Sequence, residues 1–188
     1  RDAHGELDGT AEETGAVFVH PYNDPRVICG QGTAALELLK ESKTLDYLLA
    51  PVGGGGLMSD TLITATALSA RTRVVGAEPE GADDAYRSLA SGRIEPSINP
   101  KTIADGLLTS LGELTFEIIQ KHIYSIVRVS DESIARAMRL VWERMKIVIE
   151  PSSATTLAVV LDNPQIFRNQ RIGIILSGGN VDLGNLPW

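Results

Sequence analysis

Short, unbroken apolar runs alternate along the chain with segments of helical periodicity. Residues 16–19, 47–52, 73–77, 124–129 and 172–176 are predominantly apolar segments of strand length. Between them, residues 31–41 carry an apolar stripe at Ala35, Leu38 and Leu39, and residues 57–70 repeat the helical spacing. The clearest helix is predicted over 131–145, where Ile134, Met138, Val141 and Met145 fall on one face. Asp131 and Glu132 open it and Arg144 and Lys146 close it, each with the sign the helix dipole favours. A further helix is predicted over 153–161, stopped by Asn163-Pro164.

Strands that alternate apolar and polar residues lie half-exposed, whereas unbroken apolar strands are covered on both faces. The alternation of such strands with helices therefore predicts an α/β fold built on an open, doubly wound parallel sheet. No internal repeat or low-complexity tract interrupts it.

Glycines change this picture at two places. Pro51-Val52-Gly53-Gly54-Gly55-Gly56-Leu57 leaves a strand and enters a helix. Four successive glycines cost about 0.5–1 kcal/mol each relative to alanine in regular structure. That cost is offset where backbone amides must converge on an anion at a helix N-terminus. The run is not a Walker A loop, because no Gly-Lys-Ser/Thr follows, and Met58 stands where a dinucleotide fingerprint needs its last glycine. A flexible turn for tight strand–helix packing is the alternative. The second place is Leu176-Ser177-Gly178-Gly179-Asn180, at the end of the last strand. It offers a hydroxyl and close backbone approach, or else a plain strand-ending turn. In an open α/β sheet both would stand at the carboxyl edge, where ligands bind.

The 188 residues suffice for one domain with a real core, and the formal net charge is −7. No Lys/Arg cluster longer than a pair occurs, which argues against a nucleic-acid partner. The single cysteine, Cys29, allows no internal disulfide and suggests a reducing, cytoplasmic setting; Val27 and Ile28 beside it suggest a small buried hydrophobe. No apolar run is long enough to span a membrane, and residues 1–10 hold no signal-peptide core.

Seven motifs in order now carry a resemblance: Gly-Gln-Gly-Thr at 30–33, the glycine run at 51–57, Ala-Glu-Pro at 77–79, Ala-Asp-Asp at 82–84, Thr-Ile-Ala-Asp-Gly at 102–106, Ile-Glu-Pro-Ser at 149–152 and Ser-Gly-Gly-Asn-Val-Asp at 177–182. Together, from about residue 11 to 182, they resemble the fold-type II pyridoxal-phosphate (PLP) enzymes, in particular the serine/threonine dehydratase and serine racemase family. The resemblance implies a partial large PLP-binding domain at 21–188, with residues 1–20 an unmatched segment and the end of a small domain. It implies that Gly53, Gly54, Gly55, Gly56 and Leu57 hold the cofactor phosphate, and that Ser177, with Gly178, meets the pyridine nitrogen. Glu150 would lie beside the cofactor, and Asp105 and Gly106 would border the substrate.

Glu78, the Ala82 carbonyl and Asp84 match a divalent-cation site; two carboxylates and a carbonyl suit Mg²⁺, Mn²⁺ or Ca²⁺. The bland alternative is a pair of solvated loop acids. Arg144 and Lys146 match basic residues that meet a nucleotide effector, or simply serve the helix C-terminus. The family's Schiff-base lysine and its Ser-Asn substrate loop have no counterpart here, so no catalytic residue is assigned. Asp60 stands where the family often has glycine, and Ser153, Thr155 and Thr156 replace a Gly/Ala-rich stretch.

The implied activity is that of the C-terminal portion of a hydroxy-amino-acid ammonia-lyase or racemase, acting on an amino acid and homodimeric when whole. The 188 residues alone would be inactive. Two rival readings remain: a non-catalytic anion-binding half-domain that acts as a partner or regulator, and a nucleotide-binding α/β domain.

Overall fold

The computed structural model describes residues 11, 13–42 and 44–188. Four strands, β1 (Tyr47–Pro51), β2 (Arg73–Pro79), β3 (Ser125–Val129) and β4 (Ile172–Ile174), form one parallel sheet in the order β3-β2-β1-β4. Leu49 pairs with Val75 on one side and Ile174 on the other, which fixes the register.

All five residues of β1 are buried, so its neighbours must cover both faces of the sheet. On one face Leu49, Val75 and Ala77 pack with Ile134 and Met138 of α6 (Asp131–Met145) and Ala154 and Ala158 of α7 (Pro151–Asp162). On the other, Leu48, Ala50 and Val74 pack with Met58 and Leu62 of α3 (Gly56–Leu68) and Phe116 and Ile119 of α5 (Glu113–His122). The chain moves outward from β1 through β2 to β3, then returns to place β4 on the opposite side of β1. That reversal creates a crevice at the carboxyl ends of β1 and β4, the usual ligand position of such sheets.

The helix expected over 131–145 has those bounds. Its N-cap Ser130 accepts a bond from the Ser133 amide at 3.2 Å, and Lys146 ends it in a left-handed conformation with φ 61°. Further helices among the described residues escape the periodicity argument, including α1 (Pro25–Gln31), α4 (Asp84–Ser91), α5 and α8 (Pro164–Phe167). α1 begins with Asp24 accepting from the Arg26 amide at 2.8 Å and Pro25 in the first turn, a start signal that is visible in the sequence. The predicted helix over 31–41 is in fact α2 (Thr33–Glu41), preceded by α1.

Two expectations are corrected. Residues 16–19 form no strand: Val17, Phe18 and Val19 are exposed, and no described strand lies beside them to complete a ladder. Cys29 is exposed rather than buried, because α1 turns only Ile28 inward and the next residue points about 100° away.

Candidate functional site

The glycine run leaves β1 and opens α3. Gly55 adopts φ +90°, a left-handed conformation that favours glycine, and its carbonyl accepts the Ser59 amide at 2.8 Å to start the helix. The amides of residues 53–58 donate to no described residue. Such a row of unspent donors at the positive end of a 13-residue helix fits an anion, the phosphate of a cofactor included.

These glycines line a cavity of about 370 Å³ together with Leu57, Gly106, Glu150 and Ser177. The parallel pairing of β1 with β4 brings the two glycine turns to the same side, 53–56 after one strand and 177–178 after its neighbour. The Ser177 hydroxyl has no described partner, so it is available to a ligand's ring nitrogen.

Glu150 forms the wall between them. Its amide donates to the Gly178 carbonyl at 3.1 Å, and its Oε2 accepts the Asn180 amide at 2.8 Å. A Cβ on Gly178 would meet Glu150 Oε1 at 2.9 Å, so a larger residue there would press on that carboxylate. Ser152 accepts the Gly106 amide at 3.0 Å and so draws the loop bearing Asp105 and Gly106 to the cavity. Only Gly106 reaches it; Asp105 lines a neighbouring hollow of about 380 Å³ with Ile103, Asn180 and Asp182.

Lining residues that were not singled out from the sequence include Tyr22, Gln31, Thr109 and Ser152. Two had a signal, since Gln31 and Ser152 sit inside the quoted motifs. Tyr22 had none, because it reaches the loop only through the folding of the segment before α1.

Glu78 and Asp84 lie near each other at the carboxyl end of β2, with Ala82 buried in the short turn between them. Glu78 and Asp84 are each 1% exposed, so they are not solvated loop acids. Glu78 accepts the amides of Ala85 and Tyr86 at 2.8 and 2.9 Å, yet burial pushes its carboxyl up to about 8, and the nearby Asp84 charge adds to this. Burial also raises Asp84, to about 6, and its Oδ2 is buried without a hydrogen-bond partner. Two buried carboxylates that resist ionisation, one with an orphaned oxygen, fit a hard cation whose charge would relieve both. Among the described residues no group of three or more His, Cys, Asp or Glu side chains gathers as a metal site, so backbone and water would complete any shell. Arg144 and Lys146 lie exposed at the end of α6, apart from the cavity, next to exposed Met145, Ile147 and Val148.

The sequence profile of the family described as "Pyridoxal-phosphate dependent enzyme" matches residues 2–178, which extends into the N-terminal segment where no motif was found. A β-hydroxyaspartate dehydratase of Paracoccus denitrificans is 53% identical over 176 residues, covering 94% of this chain and 56% of that protein. The crystal structure of serine racemase from Dictyostelium discoideum superposes with a TM-score of 0.90 at 49% identity, over 96% of this chain and 58% of that one. The crystal structure of a T.th. threonine deaminase gives 0.89 at 47% identity, over 93% and 65%. The chain thus spans somewhat more than half the length of these relatives.

Proposed function

The chain belongs to the pyridoxal-phosphate dependent enzyme family, and from that premise we propose that it forms the phosphate- and ring-binding part of a hydroxy-amino-acid ammonia-lyase or racemase. The carrying observation is that residues 53–57, with their unspent amides, and Ser177, with its free hydroxyl, border one cavity.

When bound, the pyridine ring supplies an electron sink for the carbanion formed at the amino acid's Cα. The chain's own residues bind and orient. Gly53 to Gly56 and Leu57 hold the phosphate through backbone N–H groups, aided by the dipole of α3. Ser177 would offer the ring nitrogen a neutral hydroxyl rather than a carboxylate, which would leave that nitrogen largely unprotonated. Such a partner would restrain the sink and suit β-elimination or racemisation over transamination. Glu150, fixed by Asn180, would stand beside the ring, with Gly178 giving it room. Gly106, pinned by Ser152, borders the substrate side.

Glu78, Asp84 and the Ala82 carbonyl would hold a divalent cation, Mg²⁺, Mn²⁺ or Ca²⁺, whose charge would neutralise the paired carboxylates. Arg144 and Lys146 present an exposed basic end of α6 for a nucleotide effector. The working protein is a cytoplasmic homodimer, and residues 21–188 form part of its large PLP-binding domain. The similarity to both a dehydratase and a racemase supports a β-hydroxy amino acid as substrate.

The test is an assay of the full-length protein with L-serine, D-serine, L-threonine and β-hydroxyaspartate, with and without Mg²⁺. Keto acid and ammonia from one of the four, or interconversion of the serines, is the expected result. Turnover of none, with PLP loaded, would overturn the reading in favour of a non-catalytic anion-binding protein.

A further inference from the structure

We infer that Thr115, outside the cavity and 61 residues from the loop in sequence, is a positioning residue for the phosphate-binding amide of Gly55. The inference rests on the phosphate reading of the glycine run.

Thr115 stands in the first turn of α5 and is fully buried. Its hydroxyl accepts the Gly112 amide at 2.9 Å, so the oxygen is held in place. Its one proton is shared between the carbonyls of Gly54, at 2.9 Å, and Gly112, at 3.0 Å. The Gly54–Gly55 peptide is trans, and in a trans peptide C=O and N–H point in opposite directions. With the Gly54 carbonyl turned inward onto Thr115, the Gly55 N–H is turned away from the interior, and it has no described partner.

A peptide flanked by two glycines is the easiest in a chain to flip, because neither residue has a Cβ to oppose the change. The same freedom that lets four amides converge therefore lets them diverge, unless something outside the loop pins a carbonyl. Thr115 is that pin. The space beneath Gly55 is also filled by Leu111 and by Thr115 itself, each 2.9 Å from where a Cβ would stand. Valine has the shape of threonine without the hydroxyl. In its place the buried Gly54 carbonyl would lose its partner and gain by rotating, which would turn the Gly55 amide from the anion.

The experiment uses the full-length protein and two ligands that differ by the phosphate, PLP and pyridoxal, titrated into apoprotein whose fold is checked by its melting curve. Wild type should prefer PLP. Thr115→Val should lose about tenfold of that preference, the size of one hydrogen bond to a charged group, with pyridoxal affinity within about twofold of wild type. Thr115→Ser should keep the preference. If Thr115→Val does not fold, Thr115→Ala is read by the same ratio. A valine variant that keeps the preference, or that loses both ligands equally, overturns the inference, as does a serine variant that falls as far as valine. A wild type with no preference for PLP overturns the phosphate reading itself.

Discussion

The ring of Tyr22 lies in the space that a Cβ on Gly54 would need. The backbone of Tyr22 also rests against Gly56, 3.1 Å from where that residue's Cβ would be, so one aromatic residue roofs two glycines of the run. Glycine at 54 is thus required by close approach, not by backbone conformation.

Gly54→Ala should force the Tyr22 ring out and cost about 1–3 kcal/mol of stability, as overpacking does. Melting and denaturant curves check the cost. PLP affinity should fall as well, and Tyr22→Ala in the same chain should recover part of the stability. No recovery in the double variant would show that the two residues do not share this space.

Asp131 holds the loop that borders the cavity. Its carboxylate accepts the Thr102 hydroxyl at 2.5 Å and the Ile103 amide at 3.0 Å. Asp131→Ala should therefore destabilise the fold by about 1–3 kcal/mol, the cost of stranding partly buried donors. Faster hydrogen exchange at residues 102–106 should accompany it, with residues 53–58 unchanged. Unaltered exchange at 102–106 would remove Asp131 from this role.

Asp60 is 7% exposed, and burial raises its carboxyl above the usual range. An acid whose folded value is raised favours the folded state fully below its unfolded value near 3.8, and that stability is lost as pH rises through the folded value. Asp60→Asn removes this loss. The melting temperature of the variant minus that of wild type should rise with pH above 4 and then level off. A flat difference would mean that Asp60 does not change its ionisation on folding.

Ca²⁺ or Mn²⁺ at saturating concentration should raise the melting temperature of the full-length protein, and chelator should reverse the shift. A ligand at a hundred times its dissociation constant adds about 2.7 kcal/mol. Glu78→Gln should lose most of the shift, whereas Glu132→Gln, on exposed helix surface, should keep it. Equal shifts in all three proteins would place the ion elsewhere.

Much of the sheet is legible in the sequence because a strand covered on both faces is mostly apolar: residues 47–52 and 74–77 mark β1 and β2 directly. The same rule fails at 16–19, where an equally apolar run has no described partner strand and stays exposed. α4 and α5 went unread because their buried positions, Ala85 and Ser88 or Thr115 and Ile119, mix small, polar and apolar residues. Of the site, Gly53 to Gly56, Ser177 and Glu150 were legible from glycine chemistry and motif, and they border one cavity. Asp105, read with Gly106, turned out to face a different hollow, because adjacent residues of a short turn point in different directions.

By itself the sequence determined the parts whose cause is local: apolar continuity that demands two covered faces, a helix framed by its end charges, and four glycines that only a close approach to something can justify. The tertiary structure alone decided what stands against those glycines. Whether Tyr22, Thr115 or Ser152 meets a given backbone atom depends on how the sheet and its helices close, and contacts between residues tens of positions apart leave no periodicity along the chain.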